Sequence, residues 1–248
     1  MRGAGDSSSP FATVPTEFLG VWRRTLLEGP GLETDTVSAV FWLQTARWHG
    51  DVRIPAHRPD FAGCRAIADC TPQQRRWLAT QKGFAGITEV SAAGAPGGDA
   101  LYCQWDRKVD FQPQGAGRDF GRIVFRDDGR TMDEFGVDAD YRETWERLPQ
   151  SLGPGGAWCK AGAMGCFGEL LLVAGGCFFY LRDRMQALPP GCDLLALADR
   201  ADGAQQLNME LSFGRWDAVT HVGAIAHSTL PWQEGRAIAN GPDWSALR

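Results

Sequence analysis

The feature that most constrains the fold of this chain is the alternation of apolar and polar side chains over residues 101–112. One face carries the apolar side chains of Leu101, Cys103, Trp105, Val109 and Phe111, whereas the residues between them are mostly polar. Successive side chains of a β-strand point to opposite faces, so this pattern predicts a long strand with one apolar face and one wet face. Strands of this kind are typical of antiparallel sheets.

Comparable strand patterns recur along the chain. Alternation over residues 36–44 and 206–213 predicts two more half-buried strands. A tight hairpin is predicted around the Asp-Gly pair at residues 128–129, because this pair tolerates the positive φ angles of a two-residue turn. A second hairpin is predicted over residues 170–181, where two glycines separate two apolar runs.

Helix signals are scarce in comparison. The best is at residues 71–78, where Thr71 fits an N-cap and Pro72 fits the first helical position. The 31 glycines and 14 prolines among 248 residues favour frequent turns over long helices. The sequence therefore predicts an all-β, antiparallel fold with one short helix.

A segment rich in glycine and proline divides the chain into two parts. Residues 150–157 are predicted to be a linker between a first unit over 13–149 and a second unit over 158–248. Residues 1–12 are predicted to be a disordered tail, since they are polar and lack an apolar core. The expected organisation is thus two β units in tandem.

The first unit begins with a short motif of the form F-x-G-x-W at residues 18–22. This motif resembles the entry to the barrels of the lipocalin-like, or calycin, family. In that family the glycine and the tryptophan lie at the closed base of an antiparallel barrel, and an arginine from the last strand packs across the indole. The resemblance implies this role for Gly20 and Trp22, with Arg142 and Arg147 as candidates for the arginine and Arg147 preferred.

More loosely, the whole chain resembles a little-characterised group of tandem lipocalin-like barrels that includes a yeast casein-kinase-interacting protein. The stretches that carry the resemblance are GVWRRTLLE, FWLQT, DVRIP and YRETWERLP. The resemblance implies two lipocalin-like β-barrel halves and brings no established reaction. The second half is expected to be the smaller, because about ninety residues leave little room for eight strands.

Charge and composition argue against several classes of partner. The formal charge is −5 and no basic block stands out, so nucleic acid and a polybasic membrane anchor are not expected as partners. No stretch approaches the ~18 apolar residues of a membrane span. The seven cysteines form no C-x-x-C pair, and the N-terminus has no apolar signal core, so a reduced, cytoplasmic protein without a metal centre is expected.

Arg107 is the most informative candidate for a binding residue, since it lies in the apolar register of its strand. An inward guanidinium must be paired or must meet a ligand, because an unpaired buried charge costs several kcal/mol. One interpretation is an anionic anchor inside the barrel, with Trp105, Phe41 and Tyr141 as candidate aromatic lining. The other is a structural salt bridge to an inward carboxylate such as Glu143.

Two of the four histidines allow a different hypothesis. His221 and His227 would share one face of an uninterrupted strand, but at about 20 Å apart they could not bind one metal ion. Either one alone could be an axial ligand of haem, or simply a polar residue whose hydrogen bonds are satisfied beside the core. No cofactor is expected in the preferred interpretation.

The predicted function is therefore non-enzymatic. The chain lacks the nucleotide-binding, serine-hydrolase, zinc-helix and calcium-loop motifs. The preferred hypothesis is that the first barrel binds a small hydrophobic or weakly anionic molecule. The alternatives are a protein–protein interaction module with filled barrels, and a haem-binding barrel that uses His221 or His227.

Overall fold

A computed structural model of the chain describes residues 13–91, 101–115, 117–126, 129–162, 168–189, 191–200 and 202–247. The predicted tail over residues 1–12 lies outside the described residues. All of the sheet pairings between named strands are antiparallel. The prediction of an all-β, antiparallel fold is thereby confirmed.

The first half of the chain forms a closed barrel of eight strands, each paired with its neighbours in sequence order. The barrel closes where β8 pairs with β1, with Trp22 opposite Arg147. Its strands are β1 Gly20–Glu28, β2 Ala39–Gln44, β3 Trp48–Ile54, β4 Lys82–Ser91, β5 Leu101–Asp110, β6 Asp119–Arg126, β7 Thr131–Gly136 and β8 Arg142–Arg147.

The second half forms one seven-stranded sheet with β14 and β15 at its edges, in the order β14-β13-β12-β11-β10-β9-β15. This sheet is an open half-barrel. Its strands are β9 Gly155–Lys160, β10 Glu169–Ala174, β11 Cys177–Arg182, β12 Glu210–Asp217, β13 Val222–Ser228, β14 Ala237–Ala239 and β15 Ser245–Ala246.

Helices are few and short. The predicted one is α1 Pro72–Ala79, where Thr71 accepts from the backbone of Gln74 and Gln74 accepts from the backbone of Thr71. A second helix, α2 Leu194–Ala198, was not predicted. Short 3₁₀ turns occur at Thr16–Phe18, Ile67–Asp69, Pro149–Ser151, Ala204–Leu207 and Pro231–Gln233. Within the described ranges, no helix has the length and apolar character to cross a membrane.

Both predicted hairpins are present. The strands that flank the Asp-Gly pair are β6 and β7, although residues 127 and 128 of the turn lie outside the described part. The glycine-split hairpin is β10 and β11. The strand predicted over residues 206–213 begins later, at Glu210, because the 3₁₀ turn Ala204–Leu207 occupies its first residues.

The barrel lies against the second sheet through a continuous apolar core. The outer faces of β2 and β3 contribute Phe41, Leu43 and Val52 to this core, and the second sheet contributes side chains from β10, β11 and β12. Phe179 lies directly on the bare backbone of Gly50, where an added Cβ would stand 2.3 Å from the ring. The outside of the barrel is therefore buried on this side.

A β-bulge in β5 divides the strand that the alternation predicted. Gly86 pairs with Arg107 and Ala85 with Val109, so Lys108 is an extra residue in β5. Trp105 consequently lies in the core inside the barrel, whereas Val109 lies in the core between barrel and sheet. The prediction that both residues share one face is wrong, because an inserted residue reverses the direction of every side chain that follows it.

Residues 150–154 of the predicted linker lie between β8 and β9, whereas its residues 155–157 already belong to β9. The turn at its start is anchored to the barrel. The hydroxyl of Ser151 accepts from the backbone N–H of Val21 at 2.8 Å and donates to the carbonyl of Leu148 at 2.6 Å. On the other side, the N–H of Gly176 donates to the carbonyl of Gln150 at 2.7 Å. This segment thus hydrogen-bonds to both β units.

Candidate functional site

One end of the barrel is closed by a packed base. Trp22 is fully buried, and its indole N–H donates to the carbonyl of Phe18 at 2.8 Å. The guanidinium of Arg147 lies 4.6 Å from the centre of this indole, a cation–π contact. Gly20 has a φ of 114°, and a Cβ at this position would stand 2.8 Å from the hydroxyl of Ser151. Of the two candidate arginines it is therefore Arg147 that covers Trp22.

Above this base the barrel holds a cavity of about 290 Å³, hereafter the barrel cavity. Its aromatic walls are Trp42, Phe84, Trp105 and Trp145; the first tryptophan meets the other two edge to face, at 5.8 and 6.2 Å. Most of the other lining residues are charged, namely Asp51, Arg53, Lys82, Arg107, Asp119, Glu134 and Glu143. Leu27, Leu32 and Tyr141 complete the lining. The cavity is therefore amphipathic, with tryptophan walls and an ionic lining.

An ion-pair network built around Glu143 crosses one side of the barrel cavity. Oε1 of Glu143 accepts from Arg24 at 2.7 Å and from Arg53 at 3.0 Å. Arg53 also donates to Asp51 at 2.8 Å, and Arg24 pairs with Asp35. Each of these arginines is thus held between two carboxylates, which is how a buried guanidinium is stabilised.

Arg107 lies in the barrel cavity, as its register predicts, and is paired there. It donates to Asp119 at 2.9 and 2.5 Å and to Asp110 at 2.8 Å, and its guanidinium lies 3.7 Å from the centre of the Phe84 ring. The structure therefore contains a salt bridge, as in the second interpretation, but the carboxylates are Asp110 and Asp119 and not Glu143.

Two buried glutamates face each other across neighbouring strands. Glu134 of β7 is the register partner of Glu143 of β8, and both line the barrel cavity. Tyr141 lies at the rim and donates its hydroxyl proton to Glu134 at 2.8 Å. Burial, and secondly the facing carboxylate of Glu143, raises the pKa of Glu134 to about 8. Glu134 therefore holds a proton at neutral pH.

Three polar atoms of the cavity walls have no hydrogen-bond partner within the described part of the chain. They are Oε2 of Glu143 and the indole nitrogens of Trp42 and Trp145. All three side chains are at most 2% exposed. A buried polar atom without a partner costs about 1 to 3 kcal/mol, so native proteins usually satisfy such atoms with water or a ligand.

Phe41 does not lie where the sequence interpretation places it. It is on the outer face of β2, where its ring stacks on Phe213 of the second sheet with centroids 4.2 Å apart. The neighbouring residue Trp42 points into the barrel instead. Phe41 therefore belongs to the contact between the barrel and the second sheet and does not line the barrel cavity.

The two histidines of the haem hypothesis lie outside the barrel cavity. His227 is half-buried on β13 and its ring stacks on Phe41 at 5.1 Å; burial lowers its pKa. His221 is exposed and adopts a φ of 55° just before β13 begins. The two side chains therefore do not occupy one uninterrupted strand. Among the residues that the structure describes, no group of three or more His, Cys, Asp or Glu side chains could hold a metal ion.

A different histidine, which sequence reasoning missed, lies inside the barrel. His49 of β3 is fully buried, and its Nδ1 lies 2.9 Å from the hydroxyl of Thr88, which donates its own proton to Gln44. Nδ1 therefore carries the proton, and burial, with a smaller contribution from Arg107, lowers the pKa of His49 to about 3. The available signal was the alternation of His49, Asp51 and Arg53 along one strand.

A second, more apolar cleft lies between the base of the barrel and the second sheet. It measures about 370 Å³ and is lined largely by glycine, alanine and leucine residues, together with Trp48 and Arg47. No unpartnered carboxylate faces this cleft among its described lining residues. The barrel cavity is therefore the better candidate for specific recognition, which depends on a few precisely placed polar groups.

Comparison with known proteins supports the fold and does not indicate a function. An uncharacterised protein of Saccharomyces cerevisiae, YLR301w, has a crystal structure that matches this chain with a TM-score of 0.51 and 11% sequence identity. The match covers 84% of this chain and 84% of that one. No protein-family model and no curated protein matches the sequence.

Proposed function

We propose that the first barrel binds a small, partly polar organic molecule in the barrel cavity. The observation that carries this proposal is the set of three unpartnered buried atoms, on Trp42, Trp145 and Glu143, around a cavity of about 290 Å³. Eight-stranded barrels have interiors that are either filled by side chains or just wide enough for one small ligand, as in lipocalins.

The residues that line the barrel cavity favour a more polar ligand than the hydrophobic one expected from the sequence. Tryptophan walls favour a flat or aliphatic body, but the facing carboxyl and guanidinium groups would remain desolvated beside a wholly apolar molecule. Small-molecule sites commonly measure about 300 to 1,000 Å³, so this cavity is at the small end of the range. The expected ligand is thus small, and it carries both an apolar body and hydrogen-bonding groups.

Binding can be tested with a fragment library, using tryptophan fluorescence and thermal shift as readouts. Trp42→Phe and Trp145→Phe each remove one indole N–H while keeping an aromatic wall. Trp244→Phe is a matched control, because Trp244 lies on the second sheet beside Lys160 and Tyr180. We expect saturable fragment binding that both cavity variants weaken several-fold and the control does not.

Two results would overturn the proposal. One is a library without a saturable hit, and the other is binding that neither cavity variant changes. A Soret absorption band in the purified protein would instead favour the haem hypothesis.

A further inference from the structure

We propose that the ligand of the barrel cavity is a small organic amine, bound as its ammonium ion through a hydrogen bond to Oε2 of Glu143. This inference rests on the proposed function, because it names the class of molecule that the same cavity takes. The argument uses the free carboxylate oxygen, the charge balance of the cavity and the aromatic walls.

The attachment point in this proposal is the unpartnered oxygen of Glu143, a residue that lines the barrel cavity. Its other oxygen accepts from both Arg24 and Arg53, so the carboxylate is ionised and fixed in position. Oε2 lacks a donor among the described residues, and the side chain is only 2% exposed. A ligand that donates to Oε2 would complete the hydrogen bonding of a buried charge, and an ammonium group is the strongest such donor.

The charge balance favours a cation over an anion. Each guanidinium in or beside the cavity already has two carboxylate partners, so an anionic ligand would have to displace one of them. The carboxyl groups outnumber the basic groups even when Glu134 is neutral. The acids are Asp35, Asp51, Asp110, Asp119, Glu134 and Glu143, and the bases are Arg24, Arg53, Lys82 and Arg107.

The aromatic walls already hold cationic groups. Arg107 lies 3.7 Å from the centre of the Phe84 ring, and Arg53 lies 5.9 Å from that of Trp145. A ring face attracts a cation through its quadrupole, most strongly where water is excluded. Trp42 and Trp105 also line the cavity, so an ammonium ion and its organic body would contact both a carboxylate and indole rings.

The proton on Glu134 adds a measurable consequence. An ammonium ion beside Glu143 would also lie close to Glu134, because directly opposed residues of antiparallel strands have Cβ atoms about 4.5 to 5.5 Å apart. The added positive charge would favour ionisation of Glu134, so that ligand binding releases a proton. The charged or titratable groups that face Glu134 are Glu143 on β8, Arg53 on β3, Asp119 on β6, Cys103 on β5 and the hydroxyl of Tyr141.

The test is calorimetric titration with three probes of matched size, namely 2-phenylethylamine, 2-phenylethanol and 3-phenylpropionate. We expect the amine to bind at least about tenfold more tightly than the alcohol or the carboxylate. Glu143→Gln should reduce amine affinity more than about tenfold and leave alcohol affinity nearly unchanged. Glu146→Gln is the control, because Glu146 is an exposed residue of the same strand that pairs with Arg23.

A second measurement uses the wild-type protein, so that the proposal can be tested even if the Glu143→Gln variant does not fold. Amine titrations in buffers of different ionisation enthalpy should show the release of up to one proton per ligand at pH 7. Amine affinity should rise with pH between pH 6 and pH 8, by at most about tenfold per unit, since the proton on Glu134 is displaced.

The outcomes separate this inference from the proposed function. Equal binding of the alcohol and the amine, or no proton release, would overturn the ammonium assignment while leaving the cavity a binding site. Binding of none of the three probes would also overturn the assignment, and the fragment screen then decides the proposed function independently.

Discussion

The buried base of the barrel gives the sharpest test of the fold, through the substitution Trp22→Ala. This change removes a fully buried indole, its hydrogen bond to the carbonyl of Phe18 and the cation–π contact with Arg147. The first strand and the last strand of the barrel both lose a contact, because Trp22 and Arg147 are register partners across the closure. We therefore expect a large loss of stability.

The magnitude follows from these contacts. Truncation of a buried tryptophan costs about 3 to 5 kcal/mol. The lost cation–π contact adds about 1 kcal/mol. Since about 1 kcal/mol shifts Tm by about 2 to 4 °C in a chain of this size, the variant should melt about 8 to 24 °C below the parent.

Thermal melts followed by circular dichroism provide the assay, with Trp244→Ala beside Trp22→Ala. Trp244 is only partly buried and lies near the edge strand β15, so its truncation should cost much less. If the two variants melt alike and close to the parent, Trp22 does not close the barrel. That result would refute a barrel base built on Trp22 and Arg147.

Three further perturbations test other parts of the structure. Gly50→Val would drive a side chain into the ring of Phe179, and should lower the free energy of unfolding in urea by about 1 to 3 kcal/mol; an unchanged midpoint would contradict the close contact of barrel and sheet. Ser151→Ala leaves the backbone N–H of Val21 without its acceptor, and should cost about 1 to 3 kcal/mol in the same assay. Glu134 has a folded-state pKa of about 8, above its ordinary value of 4.5, so its contribution to stability is present at low pH and is lost as pH rises through 8. Glu134→Gln should therefore flatten the decline of stability between pH 5 and 8, and an equally steep decline in the variant would refute the raised pKa.

Local patterns in the sequence predict much of this fold. The hairpin of β10 and β11 follows from two apolar runs separated by glycines, and α1 follows from a threonine N-cap with proline at the next position. These features depend on backbone geometry and on hydrogen bonds between residues close in sequence. Short-range rules are therefore sufficient for them.

The candidate site was harder to predict, because its parts come from many strands. Arg107 was identified from its register, but its partners were not. Asp119 lies on the next strand, and Asp110 lies on the same face as Arg107 only because the bulge at Lys108 reverses the faces at the end of β5. A single inserted residue is not visible in the sequence pattern. The alternation of apolar and polar residues continues after it, but the side chains have exchanged faces.

The strand β3 shows the limit of what can be predicted from the sequence alone. Alternation predicts which of its residues share a face, with His49, Asp51 and Arg53 on one side and Gly50 and Val52 on the other. The usual assignment of the polar face to solvent would place the site residues outside the barrel.

The tertiary structure reverses that assignment. The second sheet covers the outside of the barrel at this strand, so the apolar face of β3 packs outward and the polar face is enclosed with the tryptophans. The sequence thus predicted several strands and both hairpins, and for β3 the two sets of residues that share a face. Only the packing of one sheet against the other decided which face lines the barrel cavity, because burial depends on what covers a surface and not on the strand alone.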